Sequence, residues 1–255
     1  MDVIIFGGQS NMQGQTGAVP EVNEPVEGAL EYHVEDNSLV PLKLPVGEDL
    51  GGAKYWLGKS HDCGSLIPAF CRAYIKETGK DVVAISACRG DTTIEDWQKG
   101  TYRYCTASNK MLRGINKAKQ QGEVEHIYFV WLQGESDAVI RSTEEEYLER
   151  LIRYKNTLKK EIGIERFCII KVGYFYCNSQ WHKGGTYEEK KACDEAIMSA
   201  QERAVAEDSD FTMLTRVCTE LSMNPEYINP EASGHYNNAA MEIIGTEAGT
   251  ALAKI

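Results

Sequence analysis

The stretch VIIFGGQSNMQGQTG, residues 3–17, sets the reading of the whole chain. Four apolar residues, Val3 to Phe6, break into Gly7 and Gly8, and Ser10 follows between Gln9 and Asn11. A short, continuous apolar run bounded by glycines predicts a strand buried on both faces. Gly7 and Gly8 tolerate backbone angles barred to other residues, so a sharp strand-to-helix turn would raise Ser10 over a sheet edge. The pattern G-x-S-x-M lacks the second glycine of the α/β-hydrolase elbow. A serine in this place is more often a helix N-cap, so the stretch alone leaves cap and nucleophile both open.

Working outward, apolar runs of the same kind recur at 82–86 (VVAIS), 127–132 (IYFVWL), 167–175 (FCIIKVGYF) and 211–214 (FTML). Amphipathic stretches of helix length lie between them, at about 65–78, 108–121, 143–162 and 187–207, with a last one at 236–253. Strands alternating with helices predict a three-layer α/β/α sandwich around a parallel sheet of about five strands. The 255 residues fit one domain, 1–255. Residues 17–64 are rich in Pro, Gly, Glu and Asp, with strand-like scraps such as LEYHV, and read as an irregular excursion crossing the rim of the sheet.

A formal charge of −11 argues against nucleic acid or an anionic membrane as partner, since both call for a basic surface. A neutral small molecule fits more easily. Residues 1–6 lack a basic n-region, and Val3–Phe6 is too short for a signal core or a membrane span, so the expectation is a cytoplasmic protein. Eight cysteines occur without a C-x-x-C pair, which gives neither a zinc nor a redox motif and predicts free thiols.

In open α/β sheets ligands bind beyond the carboxyl ends of the strands, so function is sought in the segment just after each strand. The segments are GGQSNMQG after the first, ACRGDTTIEDW after the second, QGESDA after the third, and NPEASGHYNN after the fifth and a linker. A serine nucleophile calls for a base, and histidine has the suitable pKa. Of five histidines, His126 enters the third strand at the wrong end, His33 and His61 lie in the excursion, and His182 is in a loop. His235 comes late enough to fold back over the first strand and ranks first. An acyl-transfer site also needs oxyanion donors, for which Gly90 offers a backbone N–H and Gln133 a side-chain amide.

GGQSNMQG, RGDTTIEDW and WLQGESDA together resemble the signature blocks of the SGNH/GDSL hydrolase superfamily, in its carbohydrate-esterase branch of sialate O-acetylesterase-like and acetylxylan-esterase-like proteins. The resemblance implies a flavodoxin-like fold and removal of O-acetyl groups from a sugar, with no metal and no cofactor. It implies Ser10 as nucleophile and His235 as base, with Ser10, Gly90 and Gln133 forming the oxyanion hole. Two departures stand out. Asp91 replaces the second glycine of the second block and brings a carboxylate near the oxyanion region. The acid expected three residues before the histidine is replaced by Ala232, with Glu231 one residue further back. Three arrangements remain: Glu231 reaches His235, a backbone carbonyl orients the ring, or the site is an impaired, carbohydrate-binding one. The reading adopted is Glu231 as the acid. Glu135 is expected to orient Gln133 or meet the turn after the first strand. Trp97 is expected as packing, with sugar stacking as the lesser reading, and the aromatic pieces TYRYC and GYFYCNSQWH are candidates for a sugar subsite. A flavin or nucleotide binder using GGQSNMQG as a phosphate loop is the weaker rival, because the stretch has no G-K-[ST] ending.

Overall fold

A computed structural model describes residues 1–47 and 63–255. The excursion is therefore seen only in part, and His61 lies outside the described residues. Strand β1 (Asp2–Gly8) is buried along its whole length. It pairs in parallel with β4 (Val82–Cys88) on one side and β5 (Ile127–Leu132) on the other. Strands β6 (Arg166–Ile170) and β7 (Phe211–Thr215) extend the sheet beyond β5. These five are the strands expected from the apolar runs, in the flavodoxin-like order β4-β1-β5-β6-β7.

The sheet has seven strands rather than about five, and the excursion supplies the other two. Strand β2 (Ala29–His33) pairs in parallel with β4, and β3 (Ser38–Pro41) closes the edge antiparallel to β2. This part of the chain therefore widens the sheet instead of crossing its rim.

Helices cover both faces. Phe6 packs edge-on against Phe70 of α2 (Ile67–Thr78), with ring centroids 5.1 Å apart. On the other face Phe129 and Trp131 meet Tyr154 of α5 (Glu144–Glu161), at 5.8 and 5.3 Å. Helix α2 lies unusually close to α8 (Asn238–Leu252), because a Cβ on Gly249 would stand 2.2 Å from the Phe70 carbonyl oxygen. Threonine side chains cap α3 (Tyr102–Gln121), α5 and α6 (Tyr187–Glu207) by accepting an orphan N–H of the first turn. The cap at Thr101 starts α3 six residues before the expected 108. Among the described residues no helix is long and apolar enough to cross a membrane. The eight cysteines are reduced thiols, none of them in a disulfide.

Candidate active site

Beyond β1 the chain turns at once into α1 (Ser10–Gln13). Gly8 makes the turn possible: its φ is +139°, and a Cβ there would lie 2.0 Å from the Leu132 carbonyl oxygen. The turn presents Ser10, whose Oγ is 2.8 Å from His235 Nε2. His235 arrives on a tight loop in which the Asn229 N–H donates to the His235 carbonyl at 2.7 Å and the His235 N–H to the Ala232 carbonyl at 2.9 Å. The first and last blocks of the sequence thus meet as expected, across 225 positions.

The partner behind the histidine differs from the expected one. His235 Nδ1 is 3.1 Å from the Ala232 carbonyl oxygen. Glu231 is exposed, and its backbone N–H donates to Asn229 Oδ1 at 2.9 Å, so the turn carries its side chain away from the ring. A carbonyl accepts only, so Nδ1 carries the proton and Nε2 faces Ser10 as the acceptor. Burial holds the His235 pKa below its ordinary value, against a smaller opposing effect of the bonds to the Ala232 and Ser233 backbone.

The oxyanion donors are also rearranged. Gln133 is fully buried, and its amide nitrogen donates to the Thr92 carbonyl at 2.8 Å and Asp137 Oδ2 at 2.6 Å, which takes it out of the cavity. Gln9 lines the cavity in its place. The Gln9 Oε1 accepts from the Ser136 N–H at 3.2 Å and from Gln133 Nε2 at 3.3 Å, and among the described residues its amide nitrogen has no acceptor. The Ser10 N–H, first in α1, is likewise without one. The Gly90 N–H donates to Gln13 Oε1 at 2.9 Å.

Two buried carboxyls of the QGESDA block brace these parts. Glu135 Oε1 accepts from Asn11 Nδ2 at 2.9 Å, and Asn11 Oδ1 accepts from the Tyr236 N–H at 3.3 Å, tying the serine turn to the histidine loop. Glu135 therefore meets the turn after β1 and does not orient Gln133. Among the described residues its Oε2 is buried with no hydrogen-bond partner, and burial pushes its pKa up to about 7. Asp137 orients Gln133, also accepts the Ile94 N–H at 2.8 Å, and is pushed by burial up to about 6. Sequence reasoning missed Gln9, Asn11 and Asp137; the Asp137 carboxylate, four residues after Gln133 in the same block, was the available signal.

The cavity holds about 480 Å³. Phe175, Trp181 and His182 form one wall, with the Phe175 and Trp181 rings 5.4 and 5.8 Å from the His235 ring. Asp194 fixes the start of this wall by accepting the Tyr176 and Cys177 N–H groups at 2.9 and 3.0 Å. Trp181 is 55% exposed and free to receive a ligand, whereas Trp97 is fully buried against Trp131 and donates to Thr92 Oγ1, so its stacking reading falls. In TYRYC, Tyr104 is buried against Glu161 and neither tyrosine lines the cavity. Asp91 lines the rim with φ +58°, the left-handed backbone a glycine would adopt there. A larger opening of about 700 Å³ beside Pro25, Arg72 and Glu242 contains neither Ser10 nor His235. Among the described residues, one group has the spacing for a metal ion: Asp2, Glu125 and His126. It sits at the opposite end of β1, and the Lys80 ammonium already lies 2.9 Å from Glu125 and 3.8 Å from Asp2.

Comparison with known proteins gives a fold and a family. A protein from Arabidopsis thaliana superposes with TM-score 0.69 at 19% identity, covering 99% of this chain and 96% of its own. NanS superposes at 0.64 and 12%, covering 98% and 96%. A carbohydrate acetylesterase from Xanthomonas citri superposes at 0.56 and 17%, covering 96% of this chain and 54% of that one. No curated protein matches. The family described as carbohydrate esterase, sialic acid-specific acetylesterase, matches residues 1–217. With a seven-stranded, mostly parallel sheet and the serine and histidine joined at its carboxyl edge, the chain belongs to this family of carbohydrate esterases.

Proposed function

We propose that the protein removes O-acetyl groups from a carbohydrate through an acetyl-Ser10 intermediate. The observation that carries the reading is the 2.8 Å bond between Ser10 Oγ and the unprotonated Nε2 of His235. His235 takes the Ser10 proton as Oγ attacks the acetyl carbonyl. The oxyanion is met by the Ser10 N–H and the Gln9 amide, with the Gly90 N–H beside them. Donors of this kind contribute roughly 2.7–4 kcal/mol each in well-studied cases. His235 then protonates the departing sugar oxygen, and water repeats the sequence to release acetate. Acetylated xylo-oligosaccharides and acetylated sialic acids are the substrate classes, with the sugar face against the exposed Trp181 ring.

Ser10→Ala abolishes acetate release from p-nitrophenyl acetate and acetylated sugars while circular dichroism stays native; retained turnover removes Ser10 from the mechanism. Because burial lowers the His235 pKa, the active neutral form persists below pH 6.5, so kcat/KM loses activity only as pH falls further. An acid limb above that value counts against His235 as the base.

A second reading, a silent carbohydrate-binding protein, is favoured by one observation: a neutral carbonyl stands behind His235 where a carboxylate would stabilise the imidazolium. Losing that carboxylate costs up to about 10⁴ in kcat in a known triad, mostly through the wrong tautomer. The Ala232 carbonyl keeps the right tautomer, which supports the esterase. A fluorophosphonate probe that leaves Ser10 unlabelled would favour the binding protein.

A further inference from the structure

Ser10 and Gln13 stand one turn apart on α1 and share a face. Gln13 is 3% exposed, and its backbone is fixed by an N–H donated to the Gln9 carbonyl at 2.8 Å. Its side chain reaches the backbone after β4, where Oε1 accepts the Gly90 N–H at 2.9 Å. A backbone N–H can only donate, so the amide oxygen is the atom that must face it. A Cβ on Gly90 would lie 3.3 Å from Ser10 Cβ and 3.4 Å from Gln13 Oε1, so nucleophile and amide oxygen approach the same patch of backbone. An amide carbonyl oxygen is the nearest protein equivalent of an ester carbonyl oxygen, and it sits on a donor beside the serine.

We propose that Gln13 is a built-in competitor for the substrate carbonyl, occupying the Gly90 N–H in the resting site until substrate displaces it. The inference rests on the acetyl-Ser10 reading and concerns affinity rather than chemistry. Substrate binds only the fraction of molecules in which the donor is open, and the apparent dissociation constant rises by the inverse of that fraction. Once substrate is seated the amide is out of the way, so kcat is untouched. The same competition weakens acetate as a product inhibitor, since its carboxylate oxygen needs the same donor.

Gln13→Met removes the oxygen at nearly constant volume, and Gln13→Glu offers a charged, stronger acceptor. With p-nitrophenyl acetate, Gln13→Met lowers KM about two- to tenfold at unchanged kcat, the range a neutral hydrogen bond supplies. Gln13→Glu raises KM. Fluorophosphonate labelling of Ser10, whose phosphonyl oxygen uses the same donors, speeds up in Gln13→Met and slows in Gln13→Glu. Unchanged KM and labelling rate in both variants overturn the inference. A fall in kcat for Gln13→Met also overturns it, because Gln13 would then brace the Gly90 loop. Labelling that responds in a protein without esterase turnover keeps the competition and removes the ester reading; ester turnover indifferent to both substitutions does the reverse.

Discussion

The two ends of the central sheet treat their charges in opposite ways. At the amino end Glu125 meets Lys80 at 2.9 Å and His126 meets Glu165 at 2.9 Å, all partly open to water. At the carboxyl end Glu135, Asp137 and Asp194 are buried, and among the described residues none has an ion-pair partner; their hydrogen-bond donors are amides, hydroxyls and backbone N–H groups. Burial raises the pKa of all three. Exposed pairs contribute little to stability, while a buried carboxyl without a cation is a cost tolerated where it holds something in place. The end with unpaired carboxyls is the end where Ser10 meets His235.

The comparison breaks most severely at Asp137. Asp137→Ala strands the Ile94 N–H in the interior, at roughly 1–3 kcal/mol, and removes the charged acceptor of the Gln133 amide, at about 1.5–3 kcal/mol, leaving that amide to the Thr92 carbonyl and Gln9 Oε1. It reads as a fall in the urea midpoint, with acetate release lowered as the Gln133 amide, no longer held by Asp137, shifts against Gln9. A midpoint near wild type would show that Asp137 braces nothing.

Glu135 sharpens the contrast through pH. Its folded pKa, about 7, lies above the ordinary 4.5, so the folded state holds the proton more tightly than the unfolded state does. Stability therefore falls as pH rises from about 4.5 to 7, and the cost is complete above that. Glu135→Gln keeps an oxygen for Asn11 and removes the charge. It stabilises the protein by on the order of 1–3 kcal/mol at pH 8, and the gain fades towards pH 4.5, as thermal melts at the two pH values would register. An equal gain at both would contradict the assignment. The smallest effect is expected at the amino end, where Glu165→Ala removes the His126 partner and leaves the melting temperature and acetate release close to wild type. A large loss there would erase the distinction between the ends.

Much of this was legible in the sequence. Five strands showed as continuous apolar runs because both faces are covered, and Ser10, His235 and the carboxyl edge came from the segments into which the strands lead. β2 showed only as the strand-like scrap LEYHV, because an alternation of Leu30, Tyr32 and Val34 with Glu31 and His33 marks a strand without saying which neighbour it joins, and its place beside β4 is a tertiary choice. Gln133 was misplaced for a related reason. Whether an amide after a strand faces the cavity or the interior depends on which acceptors surround it, and Asp137 with the Thr92 carbonyl claims this one. The partner of His235 was also decided by geometry, since the 229–235 turn aims the Ala232 carbonyl at Nδ1 and leaves Glu231 outside. Trp181 was only one aromatic among several until the loop held by Asp194 placed it over the cavity.

The Ala232 carbonyl has a consequence for how this site can be lost. A carboxylate behind a catalytic imidazole is a single codon away from removal, and it carries its own titration. A main-chain oxygen belongs to whatever residue stands at 232, so no side-chain replacement deletes it and no change of pH protonates it in the working range. The orientation of His235 is inherited from the path of the loop, and it fails only when that loop is rebuilt.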